Sequence, residues 1–134
     1  MNDLKKITTA ERIWLWRRRQ QNTNGRARGR GGSRLSLGEA AAMLGVTTPI
    51  YGAAEEGDRS AEMVVVEAIE NRGGALKFRP TAAELCALAR RRSGAPVDDL
   101  CRELGGISKP TFFSKEGAGD AELIDMWRAR GFSF

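Results

Sequence analysis

The sequence predicts an all-α protein of two small units in tandem, each made of four short helices around a helix-turn-helix. Three observations predict it. The stretch Leu35–Gly57, LSLGEAAAMLGVTTPIYGAAEEG, is punctuated as helix, tight turn and helix. The second half of the 134-residue chain repeats the punctuation of the first. Gly73-Gly74 and the stretch ALKFRP separate the halves, so residues 1–73 form one unit, 74–80 a linker and 81–134 the other.

In the Leu35–Gly57 stretch the first helix spans Leu37–Leu44, with Ala40, Ala41 and Leu44 on one side. Gly45 supplies the left-handed backbone that ends a helix at little cost. Val46 is an apolar plug. Thr47 or Thr48 caps the second helix, and Pro49 sits near its first position, where the missing N–H would be unpaired anyway. Tyr51 and Ala54 give that helix an inner face. The second helix of such a pair fits a DNA major groove.

Upstream, Met1 to Ile7 read as a frayed lead-in. Thr8 or Thr9 followed by Glu11 opens a helix. It continues as ERIWLWRRRQ, with Ile13, Leu15 and Trp16 covering a broad apolar face. Its tryptophans read as core or interface anchors rather than base-stacking groups. Arg17, Arg18 and Arg19 end the helix, where cations suit its dipole. Residues 20–36 then change character: no acid, many glycines, and Arg26, Arg28, Arg30 and Arg34. This insertion cannot bury enough apolar surface to fold alone. Arginines on a thin, glycine-rich backbone can enter a narrow minor groove, so it reads as a DNA-binding arm. GRARGRGG resembles an AT-hook core without the proline that usually follows Arg-Gly-Arg. After the helix-turn-helix the chain is acidic at Glu55, Glu56, Asp58, Glu62, Glu67 and Glu70. A last helix, Ser60–Asn71, has Met63, Val66 and Ile69 as its expected inner face.

Self-comparison carries the tandem reading. Thr8, Glu11, Leu15 and Arg17-Arg18-Arg19 align with Thr81, Glu84, Leu88 and Arg90-Arg91-Arg92. Leu44-Gly45, Val46-Thr47 and Pro49 align with Leu104-Gly105, Ile107-Ser108 and Pro110. Tyr51, Glu55 and Gly57 find Phe112, Glu116 and Gly117, and Ala61-Glu62-Met63 finds Ala121-Glu122-Leu123. The second unit therefore reads as helices Thr81–Ser93, Val97–Leu104, Ser108–Glu116 and Asp120–Arg130, with Gly106 adding a residue to the turn. Its recognition helix is the better equipped for DNA. Lys109 and Lys115 can neutralise phosphate, Ser108 and Thr111 can hydrogen-bond, and Phe113 can touch a thymine methyl. In the first unit DNA contact falls to Thr47 and Thr48 and the free N–H groups beside them.

Leu35, Glu39, Ala41, Leu44, Gly45, Val46, Thr47, Glu55 and Gly57 are similar, in order and spacing, to the repressor-type helix-turn-helix of the Cro/lambda-repressor (XRE) family. The second unit resembles the same family more weakly. Leu37 stands where the family usually has Gln, and Gly52, Ala53 and Ala54 leave the first recognition helix bare. The resemblance implies two lambda-repressor-like units arranged as a pseudo-dimer that reads two half-sites on double-stranded DNA.

The totals agree with a polyanionic partner: the net charge is +5. Cys86 and Cys101 fall at inward-looking helical positions and read as reduced core residues of a cytoplasmic protein. No run reaches the length of a membrane span, and no signal-peptide core opens the sequence. With no histidine, no ligand cluster and no phosphate loop, neither enzyme chemistry, nor a metal, nor a cofactor is expected. The expected function is a transcriptional regulator of phage, plasmid or mobile-element type, monomeric as a pseudo-dimer or a homodimer. The alternatives are a phage small-terminase-like or replication adaptor, and an activator whose acidic first unit contacts RNA polymerase.

Overall fold

The computed structural model describes residues 2–23 and 35–134. Among these the chain is mostly helical. Eight helices, α1 Thr9–Thr23, α2 Leu37–Leu44, α3 Thr48–Glu55, α4 Arg59–Asn71, α5 Ala82–Ser93, α6 Val97–Glu103, α7 Lys109–Ala118 and α8 Ala121–Ala129, are joined by two strands of two residues, β1 Asn2–Asp3 and β2 Phe132–Ser133. The chain divides into two compact units. One is Ile7–Phe78, and the other joins the first six residues to Arg79–Phe134.

In the unit Ile7–Phe78, reciprocal caps start the helices. Thr8 Oγ1 accepts from the Glu11 N–H at 3.1 Å while the Thr8 N–H donates to Glu11 Oε1 at 2.9 Å. Ser36 and Glu39 repeat the arrangement at α2. Each box satisfies donors that the first helical turn leaves unpaired. Small Ala40 and Ala41 on α2, with Tyr51 and Ala54 on α3, are fully buried against Ile13 and Trp16 of α1 and Val65 and Ile69 of α4. The inner face of α4 is Ala61, Val65 and Ile69, and Met63, expected inside, is 73% exposed. The stretch expected to be a linker is packed through Phe78. Leu76 is buried, and Arg12 donates to the carbonyls of Leu76 and Phe78 at 2.9 and 3.0 Å. The Arg19 guanidinium lies 3.7 Å from the centre of the Phe78 ring.

The other unit repeats these devices. Thr81 and Glu84 form the same reciprocal cap, at 2.9 and 3.1 Å. The turn between α6 and α7 needs two left-handed glycines, Gly105 at φ 92° and Gly106 at φ 81°, where α2–α3 needs only Gly45. This is the physical form of the extra residue that Gly106 was expected to add. Gly119 ends α7 at φ 63°, and a side chain there would meet Ala82 Cβ at 3.0 Å. It is the counterpart of Gly57, at φ 99°. Gly117, matched to Gly57 by letter, lies inside α7. Asp58 caps α4 and Asp120 caps α8, which sets Ala61 opposite Leu123 and Val65 opposite Trp127, all four buried. Matching letters instead paired the exposed Met63 with Leu123, two residues out of register.

Residues 2–6, expected to fray, are held in place. β1 pairs in parallel with β2, the Leu4 N–H donates to the Ser133 carbonyl at 2.9 Å, and Leu4 is fully buried. Arg92 holds the segment, donating to Asn2 Oδ1, to the Asp3 carbonyl at 3.1 Å and to the Lys6 carbonyl at 2.6 Å. Hydrophobic burial of one leucine and satisfied backbone groups order a segment that composition alone marks as loose.

Each unit holds a buried glutamate paired with an arginine. Arg17 Nε and Nη2 meet Glu55 Oε2 and Oε1 at 2.7 and 3.0 Å. Arg90 Nε and Nη2 meet Glu116 at 2.8 and 3.1 Å. Glu55 is 6% exposed and Glu116 2%. A buried carboxylate deprived of its cation costs about 3–5 kcal/mol. Arg90→Ala, which strands Glu116, is expected to lower stability by about that amount, read from the urea midpoint at unchanged m-value. Leu4→Ala is expected to cost roughly 2–5 kcal/mol and to raise hydrogen exchange at the Leu4 and Asn2 amides, which the strand pairing protects.

Candidate nucleic-acid interface

Each unit presents a helix whose inner face is fixed and whose first turn faces outward. In α3, Tyr51, Ala54 and Glu55 point inward, and the Tyr51 hydroxyl donates to the Ile13 carbonyl at 3.4 Å. Burial, then the Glu55 carboxylate, pushes the Tyr51 phenol far above its ordinary range, so it stays neutral. Arg17 remains charged: burial pulls its pKa down, but the bonds to Glu55 more than offset this and leave it raised. The outer side of α3 begins with Thr47, Thr48, Pro49 and Ile50, all exposed. Thr47 Oγ1 accepts from the Ile50 N–H at 3.3 Å. No cation lies within α3, and Glu56 and Asp58 follow it.

In α7 the inward residues are Phe112 and Glu116, one turn apart. Ser108, Lys109 and Thr111 are gathered at the exposed first turn. Ser108 Oγ accepts from the Thr111 N–H at 3.3 Å and lies 2.9 Å from Thr111 Oγ1. Lys109 is 58% exposed, with Asp98 at 3.5 Å, an open contact worth little in water. Phe113 is half-buried, set edge-on to Phe112 at 5.5 Å with the Arg90 guanidinium 5.3 Å from its ring centre. Lys115 stands one turn further on, with Glu122 at 3.3 Å and Asp120 at 3.7 Å. Its charge is already met by two carboxylates.

The α7 tip therefore brings together Ser108, Lys109 and Thr111, while Phe113 and Lys115 turn toward the body of the unit. Thr47 and Thr48 form the equivalent tip of α3. Arg26, Arg28, Arg30 and Arg34 lie outside the described residues. Ser114, not singled out from the sequence, is exposed one turn beyond Thr111 on the same outer side. The signal for it was present: with Phe112 and Glu116 inward, Thr111 and Ser114 must share the opposite face.

Among the described residues no cluster of metal-ligating side chains gathers. Cys86 and Cys101 are free and buried. Burial, aided by Glu116 and Asp120, pushes the Cys86 thiol up to about 12, which suits packing and not nucleophilic attack.

No protein-family model, curated protein or solved structure matches the chain.

Ser108 is a helix cap as well as a candidate ligand. Ser108→Ala is expected to cost about 1 kcal/mol of stability, with Ser108→Asp restoring most of it because a carboxylate caps as well as a hydroxyl. Urea titration of the two variants checks this.

Proposed function

We propose that the protein is a sequence-specific double-stranded DNA-binding regulator in which α6–turn–α7 acts as a helix-turn-helix. The observation that supports it best is the α7 tip. Ser108, Lys109 and Thr111 cluster on an exposed helix start whose inner side is anchored by Phe112 and Glu116. Backbone N–H groups and the positive end of the helix dipole favour phosphate there. Thr111 and Ser114 then face base edges, and Lys109 neutralises a phosphate. On this reading α3 plays the lesser part in base readout, because it carries no cation and Leu37 and Ile50 are exposed beside it. The two units act as a pseudo-dimer on half-sites about one helical turn apart. Arg26, Arg28 and Arg30 supply minor-groove and phosphate contacts along the flank.

A second reading keeps the acidic segment 35–71 of the first unit for a protein partner such as RNA polymerase. Between residues 35 and 71 seven carboxylates stand against Arg59 alone. Glu39, Glu56, Asp58, Glu67 and Glu70 are exposed. Such a face repels a duplex and suits a basic protein surface.

Selection of binding sites from random duplexes, followed by anisotropy titration, tests the proposal. Ser108→Asp keeps the cap and adds a charge against phosphate, so it is expected to weaken binding about tenfold or more at unchanged stability. Replacing Arg26, Arg28 and Arg30 together by Ala is expected to flatten the log Kd–log salt slope by about 2–3. No enrichment in the selection, or an affinity indifferent to both variants, refutes the reading.

A further inference from the structure

Helix α4 buries one stripe, Ala61, Val65 and Ile69, spaced one turn apart. Its opposite stripe is left to solvent. Met63 there is 73% exposed and Val64 44%, the most exposed large hydrophobic side chains among the described residues. Arg59 and Glu67 stand four residues to either side of Met63, so the three lie on one line along the helix. Among the described residues neither Arg59 nor Glu67 has an ion-pair partner. Glu70 stands in the last turn of α4, where a carboxylate is disfavoured by the helix dipole, and Arg72 follows as the C-cap.

We propose that this face is a twofold interface at which α4 packs antiparallel against α4 of a second copy. A twofold contact needs a face complementary to itself. With the axis at Met63, Arg59 of each copy meets Glu67 of the other, so two opposite-charge pairs form at once. The Met63 side chains cover each other, and flexible thioethers fill such a seam readily. Val64 leaves water on the adjoining line, flanked by the small Ser60 and Ala68. The charge order Arg–Met–Glu selects a second copy of this chain over other occupants: a duplex would meet Glu67 and Glu70. One helix face per copy makes a small contact, so the dimer is weak and concentration-dependent. It does not depend on whether the protein binds DNA.

Sedimentation equilibrium of the full chain across the micromolar to millimolar range tests the interface. The wild-type chain is expected to associate reversibly to a dimer. Met63→Asp is expected to leave a monomer with an unchanged helical circular dichroism spectrum, because Met63 takes no part in the core. Arg59→Glu and Glu67→Arg each place like charges together twice and are expected to raise the dimer Kd about tenfold or more. An equimolar mixture of those two variants restores association, because each mixed contact again pairs opposite charges; the double variant restores it alone. A wild-type chain that stays monomeric throughout overturns the proposal. So does a dimer whose Kd ignores both Met63→Asp and the charge reversals.

Discussion

A carboxylate withdrawn from water must have both oxygens met, and in each unit an arginine reaches both of them. Arg17 holds Glu55, and Arg90 holds Glu116, each through Nε and one terminal nitrogen. The planar fork of guanidinium matches the two oxygens, which a lysine ammonium, a single point of charge, does not. Such a pair adds little net stability, since desolvating both charges offsets most of their attraction. What it contributes here is position. Arg17 Nη1 also donates to the Leu35 carbonyl at 2.6 Å, so one side chain joins α1, the start of α2 and the end of α3. A different register of α3 on α1 would leave a buried charge alone.

The outward face of each second helix follows from that constraint. Once Glu116 is held by Arg90, Phe112 one turn earlier is driven into the core, and the opposite side of α7 has only solvent before it. A second tie sets the far end. Arg72, which follows α4, donates to the Met43 carbonyl at 2.7 Å near the end of α2. Arg130, which follows α8, grips both Glu103 oxygens near the end of α6. The bonds to Glu103 hold the Arg130 guanidinium firmly in its charged form. The two arginines occupy matching places and reach matching places, though one finds a carbonyl and the other a carboxylate. Recurrence of both ties, with the caps Thr8 and Thr81, is a stronger repeat than the letters alone display.

Much of this was legible because turns and caps are local chemistry. Gly45, Thr47 and Pro49 delimit α3 whatever surrounds them, and α2–α8 fall near where their punctuation places them; α1 instead runs on to Thr23, so Arg17, Arg18 and Arg19, expected to end it, stand before its last turn. The misreadings concern what a segment meets far along the chain. Nothing near Met1–Ile7 announces that Phe132–Ser133 will pair with Asn2–Asp3, because the partner lies at the other end of the sequence. Phe78 reads as linker until Arg12 and Arg19 come back to it. In α4 the run Met63-Val64-Val65-Val66 is apolar on every side, so periodicity cannot choose its inner face. The Asp58 cap, counted against Asp120, could have chosen it. At the candidate interface Ser108, Lys109 and Thr111 were readable as residue types. The pairing of Lys115 with Glu122 and Asp120 was not, since it depends on how α8 follows α7.

Charge divides the unit Ile7–Phe78 within itself. Residues 12–34 hold eight arginines and no acid, while residues 35–71 hold seven carboxylates and one arginine. The net +5 is therefore a difference between large blocks of opposite sign. Exposed charges more than a Debye length apart, about 8–10 Å at ordinary salt, are largely screened from one another, so neither block is cancelled by the other at its own surface. The blocks act separately, and the acidic helices resist contact with phosphate. The α4 face bearing Met63 also carries Glu67 and Glu70, so like charge disfavours it as a surface for a polyanion.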